Sequence, residues 1–289
     1  MCRVSFRSGR VLLAAAAASL ALHLPPRVEA GPAEAATDKS WPTHITATYK
    51  VTFNGFEIGS FRFQSEIGPQ GYTVDGSAEL SALLGAFQWK GVTRSSGTVQ
   101  GDAPRPAGYT FDFKGNSKSG AVKMSFKEGG VANVSLVPNK PPSPETVPVK
   151  DQHLKNVLDP MSAVMALLRG GTAQPCGRKL AIFDGKQRFD LLFSPRGQRR
   201  ITEARPSGQP GLAFVCRVRY VPIAGYKMNE ETKSMAESSG IEVALRPIPA
   251  ANLLVPYEVV VPTIAGPAKL TSQRIEIETA SRGQIALVH

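Results

Sequence analysis

Histidine, cysteine and long apolar runs are all scarce in this chain. Of 289 residues, four are histidine and three are cysteine. His23 lies near the start, His289 is the last residue, and His44 and His153 stand apart with no H-x-x-x-H or H-E-x-x-H spacing. No metal site is therefore expected, because protein metal centres need clustered ligands. A G-x-S-x-G elbow, a Walker loop and a Rossmann fingerprint are missing too, so the sequence offers no cofactor motif and no catalytic set. Carboxylates such as Glu57, Asp75, Glu79, Asp112 and Asp190 could pair in space as acid and base, although most sit at outward strand positions.

A long apolar run occurs once, at Val11 to Leu24, after a basic stretch carrying Arg3, Arg7 and Arg10. It is too short to span a bilayer comfortably and has the layout of a signal peptide. Val28-Glu29-Ala30 supplies small residues for cleavage before Gly31, and Ala33-Glu34-Ala35 is a second site of the same kind. Residues 1–30 are expected to be removed, Cys2 with them, and residues 31–43 to form a flexible tether. Export to the periplasm follows as the expected location. Cys176 and Cys216 then remain, in an oxidising compartment, with no C-x-x-C spacing and no nearby histidine. A disulfide is the simplest use of them, closing a loop of about 40 residues worth about 4 kcal/mol by the chain-entropy argument.

The formal charge is +11. Loss of Arg3, Arg7, Arg10 and Arg27 together with Glu29 removes three net charges and leaves +8. Such a balance suits an anionic lipid or cell-wall component, whereas export disfavours nucleic acid.

From His44 the chain adopts a two-residue rhythm. Ile45, Ala47, Tyr49, Val51 and Phe53 share one face and Thr46, Thr48, Lys50 and Thr52 the other. Asn54-Gly55 is a type I′ hairpin turn, since both central residues must take positive φ. Strict pairing beyond it mixes the faces, because Phe61, Phe63 and Ile67 are one step out of phase; a β-bulge at Gly59 restores the order. Further strands are predicted over 72–80, 87–99, 107–114, 121–127 and 131–137, then a proline-rich link over 137–149. Asp159 caps a helix over 160–169, with Pro160 in its first turn and Met161, Val164, Met165 and Leu168 on one stripe. Strands over 179–183, 187–193, 211–223, 241–246, 254–261 and 269–277 follow, and 224–240 reads as a polar loop. Strands on both sides of one helix, without βαβ alternation, define a single all-β domain over 44–289. Its expected form is one strongly curved antiparallel sheet, an open barrel or β-spiral with one short helix.

Two surfaces are candidates for function. Tyr49, Phe61, Phe63, Tyr72, Phe87 and Trp89 form an apolar inner face, with the Met161, Val164, Met165 and Leu168 helix as a lid over it. A plain filled core is the alternative. The run Arg196, Arg199, Arg200 and Arg205, with Arg217 and Arg219, could grip phosphate or carboxylate, or be an ordinary wet sheet face.

The Gly55 and Gly59 strand, the Asp159-Pro160-Met161-Ser162 helix start running to Arg169, and the Cys176, Phe183-Asp184-Gly185, Cys216 series resemble exported bacterial proteins of the domain-of-unknown-function 3108 family. The likeness covers most of residues 44–225 and implies the fold; the family has no established reaction, so it implies no catalytic residues. Exported envelope-integrity proteins of alphaproteobacteria look similar in plan, a spiral-like sheet with one disulfide, which is architectural analogy. The reading is a non-enzymatic periplasmic protein that binds an apolar or amphiphilic envelope component, a lipid, lipoprotein or cell-wall polymer, and supports envelope integrity. A cell-wall hydrolase or transferase using a carboxylate pair, and a passive protein-docking scaffold, stay open beside it.

Overall fold

The computed structural model describes residues 40–169, 174–280 and 283–289. The expected signal segment and its cleavage sites lie outside the described residues. Seven strands joined by tight turns come first: β1 (His44–Phe53), β2 (Phe56–Gly68), β3 (Gly71–Ala82), β4 (Phe87–Gln100), β5 (Ala103–Gly115), β6 (Ser119–Lys127) and β7 (Gly130–Val137). Helix α1 (Pro160–Leu168) follows the proline-rich link, and then β8 (Arg178–Phe183), β9 (Arg188–Arg200) and β10 (Leu212–Ala224). Helix α2 (Glu230–Glu237) precedes β11 (Glu242–Ile248), β12 (Leu253–Thr263), β13 (Gly266–Thr279) and β14 (Gly283–Val288).

All fourteen strands belong to one antiparallel sheet, ordered β7 to β1, then β13 down to β8. The two meanders are zipped together where β1 pairs with β13 along its whole length, Ile45 opposite Ile277 and Val51 opposite Leu270. β12 pairs with β13 only as far as Thr271, and β14 takes over that side from Arg274. The bulge expected at Gly59 is present: Val51 faces Gly59 while Thr52 faces Glu57, leaving Ile58 as the extra residue. A Cβ on Gly59 would sit 1.9 Å from the Glu79 carbonyl oxygen at a φ of 151°, so only glycine fits there.

The sheet curls until its two edge strands approach without pairing. The segment after the proline link spans the gap. Asn156 N–H donates to the Gly129 carbonyl beside β7, Leu158 N–H donates to Ala181 of β8, and Phe183 N–H donates back to Leu158, each at 2.9 Å. In the β8–β9 turn a Cβ on Gly185 would fall 2.3 Å from Val122 of β6, which shows how closely the far arms meet. The disulfide joins Cys176 and Cys216 with Cα atoms 5.3 Å apart, both buried.

Helix α1 lies inside this curl, and here the sequence reading needs correction. It touches β3, β4 and β5 on one arm and β8 and β12 on the other, and six of its nine residues are buried. Met161, Met165 and Leu168 pack into one core cluster, with Ile45, Phe63, Val74 and Ile275. Ala163 and Leu167 pack into a second, with Ile182, Val218 and Leu245. A helix apolar all round is a central post rather than a lid, because a lid needs one wet face.

Three further differences follow from local physics. The polar loop over 224–240 holds α2, capped by the Asn229 side chain accepting from Thr232 N–H, a short helix without a strong apolar period. β9 continues through the arginine run to Arg200, since pairing with β10 overrides its polar composition. The tether is anchored by its last residues: Pro42 is buried, and the Trp41 indole donates to the Gly101 carbonyl while stacking under Arg169.

Candidate functional site

The start of α1 is fixed by a buried polar knot. Asp159 Oδ1 accepts from the backbone N–H groups of Met161 and Ser162 at 2.9 and 3.0 Å, satisfying two of the donors a helix start leaves open. Its Oδ2 accepts from the hydroxyls of Ser162 and of Ser95 on β4. The Tyr72 hydroxyl on β3 completes the knot, 2.7 Å from Ser162 Oγ. Burial is the main cause that raises the Asp159 pKa above the usual carboxylate range, and burial pushes the Tyr72 phenol up to about 12. Ser95, Asp159 and Ser162 are sealed from solvent, so the knot anchors the helix and offers no nucleophile to a substrate. At the other end Arg178 donates to the Ala166 and Leu167 carbonyls, closing the helix C-terminus.

With the post fixed, the sheet does not fill the space around it. An apolar pocket of about 140 Å³ lies between α1 and β1, β2, β12 and β13, lined by Tyr49, Phe61, Phe63, Val164 and Leu168 among others. A second, of about 290 Å³, lies on the other side, against β8 to β12. Val164, Pro256 and Val259 line both, so the two chambers adjoin across these side chains. The smaller is close to the size of a dry engineered cavity that takes benzene, and the larger reaches the lower end of small-molecule sites. Tyr49 turns its one polar atom away by donating to the Pro256 carbonyl at 3.0 Å, and burial raises its phenol beyond its usual range. Met235 of α2 lines the second chamber, while α2 has no buried residue and touches β10 and β12. The covering element at this opening is therefore α2, not the α1 helix to which the sequence reading gave that role.

The inner face expected from sequence divides into three. Tyr49, Phe61 and Phe63 line the first chamber. Tyr72 is buried in the knot. Phe87 and Trp89 lie at the far end of the sheet, Phe87 exposed and Trp89 stacked on Phe113 at 6.4 Å, beside a groove that also contains Glu57 and Glu79. The arginines are also split. Arg199 pairs with Glu242 and Glu258, and Arg196 with Glu242, so neither is a free anion grip. Arg200, Arg217 and Arg219 are exposed and form no ion pair among the described residues. Three of the five candidate carboxylates meet cations, Asp75 with Arg94, Glu79 with Lys90, and Asp190 with Lys179 and Arg188, while Glu57 and Asp112 form no ion pair among the described residues.

One buried group escaped the sequence reading. Arg246 of β11 is sealed from solvent and bonded to Glu203 at 2.7 Å, to Ser207 and to the Pro210 carbonyl. Its guanidinium also donates to His289 Nε2 at 2.9 Å, leaving Nδ1 to bond Ser272. Burial, then the Arg246 charge, hold the His289 imidazole neutral, with its pKa pushed down to about 4. An arginine on a strand carries no sequence mark of burial; only its chain neighbours, Leu245, Pro247 and Ile248, hinted at it.

The fold and site define an all-β protein: one open, strongly curved sheet around a buried helix, with an apolar space beside that helix. The family of proteins of unknown function DUF3108 matches residues 48–249, and the chain belongs to it. No curated protein matches. Among solved structures it is similar to a β-barrel-like protein of domain of unknown function DUF1849 from Brucella abortus, at 10% identity and a TM-score of 0.46, over 82% of this chain and 98% of that one.

Proposed function

We propose that this protein is a non-enzymatic, periplasmic binder of an amphiphilic envelope component, whose acyl chain enters the two chambers around Val164. The observation that carries the reading is the pair of adjoining apolar chambers, lined by aliphatic and aromatic side chains, the larger bordered by a short helix with no buried residue through Met235. Apolar burial supplies the affinity, about 0.8 kcal/mol per methylene removed from water. A polar headgroup stays at the surface near α2, because no described charged side chain lines either chamber. The periplasmic setting draws on the signal-like start of the sequence and on the disulfide.

Native mass spectrometry after gentle purification is expected to show bound lipid-sized mass, and an environment-sensitive fatty-acid probe to be displaced by lipid. Val259→Phe, which fills the wall common to both chambers, is expected to lower probe affinity at least about tenfold without changing the melt. No bound mass and no probe uptake by the wild type would end this reading.

A further inference from the structure

We infer that the end of the sheet formed by its β1–β2, β3–β4 and β12–β13 turns docks on the surface of an anionic lipid bilayer. Among the described residues eleven large apolar side chains are exposed, and five of them, Phe56, Leu83, Leu84, Phe87 and Ile264, sit at these turns. Strand register brings the turns side by side. Phe53 faces both Phe56 and Ala268, Gly59 faces Leu80, and Trp89 faces Gly115, so the turns at 54–55, 83–86, 115–118 and 264–265 share one end. Hydrogen bonds tie them together in pairs. Asn54 donates to the carbonyls of Pro267 and Ala265, and Gln88 N–H donates to Asn116 Oδ1.

Three features favour a lipid surface over other partners. Leu83 and Leu84 take φ of 52° and 56°, a left-handed backbone that branched or bulky residues avoid, and the turn holds this strain while aiming both leucines into solvent. Behind them the side chains change in order. Trp89, paired with Leu80, stands roughly 10 Å back at a strand's rise of about 3.3 Å per residue, the depth at which indoles favour the headgroup layer. The charges match as well. Over 50–57, 79–90, 112–119 and 263–269 there are five lysines against Glu57, Glu79 and Asp112; Lys90 pairs with Glu79 and Lys269 with Glu258, which leaves Lys50, Lys114 and Lys118 outside the ion pairs of the described residues. Apolar points foremost, an indole and lysines behind them, is the layering of a surface that dips into one leaflet.

The test is co-sedimentation with vesicles of phosphatidylethanolamine and phosphatidylglycerol. The wild type is expected to bind, and more weakly to phosphatidylcholine alone. Replacing Phe56, Leu83 and Leu84 together by serine is expected to reduce partitioning at least about tenfold, with melting temperature, disulfide and fatty-acid probe uptake unchanged. Leu84→Ser alone, at the most exposed of these positions, gives a partial loss and serves if the triple variant does not fold. Lys114→Glu with Lys118→Glu is expected to remove the preference for phosphatidylglycerol. A wild type that stays in the supernatant with every vesicle, or a triple variant that binds as the wild type does, overturns the inference. So does a wild type that self-associates through this end while the triple variant is monomeric, since the occupant is then a second copy. Unchanged probe uptake in the tip variants keeps this outcome separate from that of the chambers.

Discussion

Asp159 offers the most direct test of how the interior is held. Replacing it with alanine removes the cap from α1, a loss of about 1 kcal/mol, together with two hydroxyl-to-carboxylate hydrogen bonds worth about 1.5–3 kcal/mol each. Two effects reduce that total. Ser95, Ser162 and Tyr72 can still bond one another, at 3.0 and 2.7 Å, and the buried charge is gone. The net expectation is a loss of about 3 kcal/mol, or roughly 6–12 °C in melting temperature for a chain of this size. Asp159→Asn keeps an acceptor for the Met161 and Ser162 N–H groups, and the serine hydroxyls can rotate to accept from its amide, so about 1 kcal/mol is expected. Thermal unfolding followed by far-ultraviolet circular dichroism reads both. A second readout is pH. Burial raises the folded-state pKa of Asp159, so its contribution is complete below the unfolded value and is lost as pH rises through the raised one. The wild type is therefore expected to lose stability relative to Asp159→Asn over that window. An alanine variant melting within about 2 °C of wild type, or an asparagine variant as damaged as the alanine one, refutes the anchoring role.

Other outcomes follow from single features. Reducing the Cys176–Cys216 bridge, or replacing both residues by serine, is expected to cost about 4 kcal/mol, seen as a lower urea midpoint with a somewhat steeper slope as the unfolded chain expands. Gly59→Val forces a Cβ against the Glu79 carbonyl and is expected to cost at least about 2 kcal/mol by the same assay. His289 has its pKa pushed down to about 4 by burial and Arg246, so the unfolded chain takes up the proton first on acidification. Its contribution is full above the unfolded pKa of about 6.5 and is lost as pH falls toward 4, by about 1–2 kcal/mol after screening by solvent at a half-exposed ring. His289→Gln is expected to flatten that part of the wild-type pH profile, and an unchanged profile would count against the contact.

Much of the architecture was legible because strand periodicity and turn chemistry are local. The phase break between Val51 and Phe61 demanded a bulge, and Gly59 was the residue able to host it, which the register bears out. Asp159-Pro160 marked the helix start, and the two cysteines of the folded region named the disulfide. What stayed hidden was long-range. The stripe Met161, Val164, Met165, Leu168 describes one face of α1, but Ala163 and Leu167 are small or aliphatic enough to be buried on either side, and only the second arm of the sheet decides that they are. Arg199 looked free because its partners Glu242 and Glu258 lie 43 and 59 residues away, on strands brought alongside by the curl. Ser95 was an ordinary strand residue and Tyr72 a member of the expected apolar face until β3 and β4 were laid against the cap of α1.

This long-range placement is also what separates the candidate site from a plain core. A sheet that closed on itself could shrink until its side chains met, as small barrels do. Here α1 stands inside the curl, its start pinned to β3 and β4 through Tyr72 and Ser95 and its end through Arg178 of β8. Polar contacts at the two ends of α1 thus act together with the packing around its middle to fix where the helix stands. Space is left on either side of Val164, Pro256 and Val259, one chamber lined by side chains of the first core cluster and the other by those of the second. Because the post is fixed at both ends, moving it inward to fill the chambers would strain the buried hydrogen bonds at its ends. Loosening the post by Asp159→Ala is therefore expected to change fatty-acid probe uptake, whereas removing the exposed tip leucines is not.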